Sequence, residues 1–203
     1  MSLLEQIALA DERGLAASGL ACLDRCLPPT GRGDPEPLRP LWASCENGAD
    51  WVARLAGVRE ALECDAPEGE ASGDTGPEGG GDTGSVAARV RALLAAAPAD
   101  FEAEPLRAWS DACSLLALDV HREFDLPSAG GAELLRRCRA GGTEGVGPLV
   151  SGELRRQIEI LDVLAETAGT VGSGAGLLRV LDLSTEGQRV LRAVMSRRAR
   201  SRA

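Results

Sequence analysis

His121 is the only histidine in a chain of 203 residues, so any Ser-His-Asp triad, Cys-His dyad or multi-histidine metal site would have to pass through it. An imidazole does such work only with a companion in hydrogen-bond reach. Cys113 lies earlier on what reads as one helix, about 12 Å away along an axis that rises about 1.5 Å per residue. On a continuous helix the two cannot form a nucleophile–base pair. Asp119, Glu123 and Asp125 flank the ring, but none stands at the Glu-x-x-His spacing with which helical bundles hold carboxylate-bridged metals. The sequence favours a structural or surface histidine.

Cys22 and Cys26 are one helical turn apart and could place two thiolates on a metal. Zinc needs four ligands, and none of the other cysteines forms the tight second pair that makes a zinc site legible. Small buried hydrophobes are the better reading of these thiols. Two glycine-rich stretches, GPEGGGDTG at 76–84 and GSGAG at 172–176, invite a phosphate cradle. A cradle needs a strand feeding the loop; the first stretch lacks the Gly-Lys-Ser/Thr ending and the second follows a helix. They read as a linker and a helix-connecting turn. No catalytic residue, cofactor site or metal ligand is therefore assigned.

The remaining candidates are cations. Arg189, Arg192, Arg197, Arg198, Arg200 and Arg202 crowd the C-terminal end, where they could meet phosphates or an acidic protein surface. Arginines there also complement a helix dipole and solubilise a fraying end, and few aromatics are available for base stacking. A solvated tail is the simpler reading.

Elements that would position these groups come from helical periodicity. Ser2 and Glu5 make a capping box ahead of Leu4, Ile7, Leu15, Leu20 and Leu23, predicting a first helix to about Cys26 with its weak points at Gly14 and Gly19. Residues 28–35 read as a loop. Two short helices follow, over Leu38–Cys45 and, behind an Asp50 N-cap, Trp51–Leu62. Residues 65–84 are nearly free of apolar side chains and dense in Gly and acid, which predicts a disordered linker.

Ser85 caps the next helix and Pro98 stops it. From Pro105, the side chains Leu106, Trp109, Cys113, Leu116 and Val120 recur at three- and four-residue steps, the clearest apolar stripe in the chain, with Pro127 as its end. A shorter helix spans 129–140. Another runs from Pro148 with a seam of Leu154, Ile158, Leu161, Ala165 and Ala168, widened by Ile160 and Leu164. Thr185 and Gln188 offer a capping box for a last helix carrying Val190, Leu191 and Val194. Nothing alternates with the period of a strand.

The fold expected is all-α, a bundle or short array of about seven to eight helices. Its parts are an N-terminal segment 1–64, the linker 65–84 and a C-terminal segment 85–203, the two helical parts packed together. Glu36-Pro37-Leu38-Arg39 and Glu104-Pro105-Leu106-Arg107, each followed by Trp and Cys, could mark a duplicated unit, although one such match is expected by chance in so biased a chain.

Composition sets the outer bounds. With 44% hydrophobic and 26% charged residues the chain has ordinary globular balance, and at 2% aromatic its core must be built from Leu, Ala, Val and Ile. All the basic residues are arginine, as a GC-rich coding sequence produces. Net charge is −9, but residues 189–203 hold six of the 22 arginines and no acid, so that end carries +6 and residues 1–188 carry −15. This disfavours a general nucleic-acid binder. No apolar run is long enough for a membrane span, and Glu5, Asp11 and Glu12 stand where a secretory signal would be uninterrupted, so a cytoplasmic location with reduced cysteines is expected.

Three functional readings follow. The first is a non-catalytic helical interaction or scaffold protein with a protein partner. The second is a nucleic-acid-associated regulator using the arginine-rich final helix. The third is a metal-dependent helical enzyme in which His121 meets carboxylates from other helices.

Overall fold

The computed structural model describes residues 1–27, 38–64, 85–125, 131–169 and 173–200. The expected loop 28–35, the linker 65–84, Pro127 and Arg202 lie outside the described residues. Within them the protein is all-helical and without strands: α1 (Leu3–Leu9), α2 (Glu12–Cys26), α3 (Arg39–Trp42), α4 (Trp51–Cys64), α5 (Val86–Ala95), α6 (Ala103–Phe124), α7 (Gly131–Arg139), α8 (Pro148–Glu166) and α9 (Ser173–Arg200). No described helix is long and apolar enough to cross a membrane.

Capping chemistry decides most boundaries. Ser2 and Glu5 form the reciprocal box, and the Ser85 hydroxyl accepts the Ala88 N–H. The first helix breaks earlier than expected. Ala10 is extended and the Asp11 carboxylate accepts the Gly14 N–H at 2.7 Å, so a new helix starts there, while Gly14 and Gly19 stay inside it. An N-cap outweighed the two glycines. At the other end the second capping box does not form: α9 is continuous, and the Thr185 hydroxyl donates back to the Leu181 carbonyl at 2.9 Å within the helix. Asp50 does stand at the N-terminal end of α4, its carbonyl accepting the Arg54 N–H at 2.9 Å, but with a left-handed backbone (φ 57°) and its carboxylate receiving the Arg54 guanidinium at 3.1 Å.

The centre of the protein is α2. Its sequence, ERGLAASGLACLDRC, is rich in Ala, Gly and Ser, and from Arg13 to Cys26 only Asp24 is less than buried. Small side chains let α6, α8 and α9 close around it. The tightest approach is at Gly19, where a Cβ would sit 2.7 Å from Trp109 Cζ3 on α6. That indole donates to the Leu93 carbonyl at 2.8 Å and packs edge-on to Trp51 at 6.1 Å, which meets Phe101 in turn at 5.4 Å. Three of the five aromatics are thus gathered where α4, α5 and α6 converge.

The two halves of the sequence echo adopt different structures. Leu38-Arg39 opens a single turn, α3, while Leu106-Arg107 lies in the first turns of the 22-residue α6. On α8 the expected Leu154, Leu161, Ile160 and Leu164 are buried, but the buried face extends toward Val150, Glu153 and Gln157, while Ile158 is half-buried and Ala165 and Ala168 are exposed. The cause is ionic and lies on α2.

Candidate functional site

Arg25, on the last turn of α2, is wholly buried and faces Glu153 on α8, also wholly buried. The guanidinium donates through Nε to both carboxylate oxygens at 3.1 and 3.2 Å and through Nη2 to Oε1 at 2.5 Å. Removing two charges from water is unfavourable unless lone pairs and N–H groups are satisfied; the carboxylate is well supplied with donors, whereas Arg25 Nη1 is buried without a hydrogen-bond partner. Gln157 Nε2 donates to Oε1 at 2.9 Å and Arg156 Nη1 to Oε2 at 3.2 Å. Ser114 on α6 completes the ring by donating to Gln157 Oε1 at 2.6 Å. Gly187 of α9 covers the Arg25 stem so closely that a Cβ there would collide with the arginine Cδ.

His121 joins this cluster from α6. Its Nδ1 lies 2.7 Å from the Ala117 carbonyl, which can only accept, so Nδ1 carries the proton of the neutral ring. Nε2 then offers a lone pair, buried and without a hydrogen-bond partner, 3.6 Å from Glu153 Oε2. Burial pushes the imidazole below its ordinary value of 6.5, and Glu153 only partly opposes this. Burial alone would raise the Glu153 carboxyl, but Arg25 and His121 outweigh it and hold the group at about 2. His121 therefore meets an acid from another helix. The ring is only 1% exposed, and the cavity beside Arg25, Ser114 and Gln157 is about 10 Å³, room for a water molecule at most. A substrate cannot reach this histidine in the packed state.

The acids nearest His121 in sequence have other roles. Asp119 and Glu123 both hold Arg89 of α5 at 2.6 Å, and Asp125 caps α8 by accepting the Leu149 and Val150 N–H groups at 3.1 and 3.0 Å, a function its Gly147 N-cap cannot perform. Cys113 and His121 share the unbroken α6, so the excluded dyad is excluded in space as well. Cys22, Cys26, Cys45, Cys113 and Cys138 are buried free thiols. Burial pushes Cys22 up to about 12 despite Arg25 Nη2 at 3.5 Å from its sulfur.

The described C-terminal arginines differ in setting. Arg189, Arg197 and Arg200 are exposed and Arg192 is half-buried. Arg198 docks on the end of α6, donating to the Glu123 carbonyl at 2.6 Å and standing 5.6 Å over the Phe124 ring.

Among the described residues, one surface feature with room for another molecule is a trough of about 220 Å³ between the α1–α2 junction and the C-terminal half of α8, narrower and more apolar than the wide hollows at Arg13–Glu46 and at Gly48–Glu102. Leu9, Leu161, Leu164, Ala165 and Ala168 give it apolar walls, and Met1 and Leu9 stand at its mouth 77% and 73% exposed. Its polar groups are Gln6, Asp11 and Asp162. Gln6 Nε2 donates to Asp162 Oδ1 at 2.5 Å, which leaves Gln6 Oε1 buried and without a partner. Asp11 also belongs to a second, more open hollow shared with Glu12, Arg13, Glu46, Asn47 and Phe101.

Sequence reasoning missed both features. Glu153 and Gln157 interrupt a Val150–Ile160–Leu164 stripe at helical spacing, and polar side chains inside an apolar stripe were the available signal for the buried cluster. The trough had none, because it depends on how α1 lies against α8. Comparison with models of protein families, with curated proteins and with solved structures finds no match to this chain.

Proposed function

We propose that this chain is a helical interaction or scaffold protein that binds another polypeptide without transforming it. The observation that supports this is the division of labour between interior and surface. The imidazole, the acids around it and the described thiols are engaged in holding helices together, while the trough leaves apolar side chains facing solvent. Apolar surface kept open beside polar groups is the ordinary signature of a docking site.

The test pairs capture from native lysate by the full chain with capture by Ala165→Arg, which places a charged side chain across an exposed wall of the trough. A polypeptide retained by the first and lost from the second is expected. Identical recoveries, or recovery of the chain alone as a monomer in both, would overturn the reading.

A further inference from the structure

We infer that the occupant of the trough is a cationic amphipathic segment of a partner protein, with apolar side chains that enter between Leu9 and Leu161 and with Arg or Lys beside them; this rests on the interaction reading above. The charged side chains that line the trough are both carboxylates. Asp162 is an exposed carboxylate on one wall, Asp11 a carboxylate at the end, and Gln6 Oε1 a buried carbonyl oxygen without a donor. The Gln6 amide cannot answer its own need by flipping, because its NH₂ is held by Asp162. A segment rich in N–H donors and positive charge complements the two exposed carboxylates, and the unanswered Gln6 oxygen beneath them adds to the same negative field.

The surroundings reinforce the sign. Where the trough opens at Asp11 into the second hollow, Glu12 and Glu46 add negative charge and Arg13 is paired to Glu46 at 3.4 Å. The face repels phosphate, so anionic lipid and nucleic acid are the wrong chemistry for it, and an apolar segment flanked by acids is penalised by the same carboxylates. Aliphatic walls with acidic ends are what an amphipathic helix with basic flanks complements.

The experiment uses the full chain and three labelled peptides of about 18 residues that share leucines at helical spacing and differ only in carrying Arg, Gln or Glu between them. Fluorescence anisotropy is read at low and physiological salt. The Arg peptide is expected to bind about tenfold tighter than the Gln peptide, and the Glu peptide weakest, with the advantage shrinking as salt rises. Asp162→Asn should narrow the Arg–Gln gap severalfold, and Ala165→Arg should abolish binding; both positions are exposed, and circular dichroism verifies their folding.

Equal affinity for the Gln and Arg peptides overturns the cationic class but leaves the interaction reading standing. Binding of none of them, together with a lysate partner that Ala165→Arg still loses, does the same. Self-association removed by Ala165→Arg assigns the trough to a second copy and overturns the proposal. If no peptide binds and capture is also unaffected, both readings fall together.

Discussion

Arg25 of α2 and Glu153 of α8 are joined 128 positions apart in sequence, with neither side chain showing any surface to solvent. Their contact explains why α8 turns a glutamate and a glutamine inward. It also makes the strongest single claim on stability, because deleting one member leaves the other charged and unpaired in the interior. Glu153→Leu is expected to cost about 3–5 kcal/mol in urea denaturation. The double change Arg25→Met with Glu153→Leu should recover most of that loss; a double variant as unstable as the single would mean that packing, not charge, governs the site.

Acid should loosen the same cluster in two stages. The unfolded chain takes up a proton on His121 near its ordinary value of 6.5, whereas the folded ring resists until lower pH, so the stability gained from keeping it neutral is full above that value and is lost as pH falls through the folded one. Glu153 follows, its contribution complete above the ordinary 4.5 and disappearing as pH falls toward about 2. Urea midpoints are expected to drop between pH 7 and 5, with a flatter profile for His121→Gln. An unchanged slope in that variant would count against the histidine as the first group to act.

Glycines at two helical positions should respond oppositely to alanine. At Gly19 the new methyl group meets the Trp109 ring at 2.7 Å, and about 1–3 kcal/mol of overpacking should exceed the gain in helix propensity. At Gly57 on α4 nothing lies within 4 Å, so Gly57→Ala should stabilise by about 0.5–1 kcal/mol. Thermal unfolding of the two variants side by side measures both signs.

Thiol reagents report the integrity of the core. Cys22, Cys45 and Cys113 are fully enclosed and burial pushes each thiol well above its ordinary value of 9.0, so little thiolate exists and no reagent reaches it. Alkylation at pH 8 followed by peptide mapping should find these three unmodified until denaturant is added. Rapid native labelling of Cys113 would show that α6 opens from α2 far below global unfolding.

Much of the architecture was legible because apolar spacing is a local property. The stripe from Leu106 to Val120 and the Ser2 and Ser85 caps could be read within a window of a few turns, whereas the helix expected over Leu38–Cys45 shrinks to the single turn Arg39–Trp42. What was misread turned on competition between neighbours. Asp11 offered a better cap than Gly14 a break, and Thr185 found its acceptor inside the helix rather than starting a new one.

The buried cluster was only half legible. A sequence shows that Glu153 and Gln157 sit on the wrong side of an apolar helix, but not that Arg25 on a distant helix balances them. Asp119, Glu123 and Asp125, set aside on their spacing, turn to Arg89 or to the start of α8, so closeness in sequence was no guide to what the ring meets.

The helix that everything else wraps is made early and completed late. On the ribosome, Arg25 emerges 128 residues ahead of Glu153, and Asp24 160 residues ahead of the Ser184 hydroxyl that it finally accepts. At about 5–20 residues per second, nascent α2 waits on the order of ten seconds before α8 and α9 exist to enclose it. The face of α2 that α8 and α9 will cover should stay open to chaperones through that interval, even after α6 has docked, and the fold should close more slowly than bundles whose helices pack mainly on their neighbours in the chain.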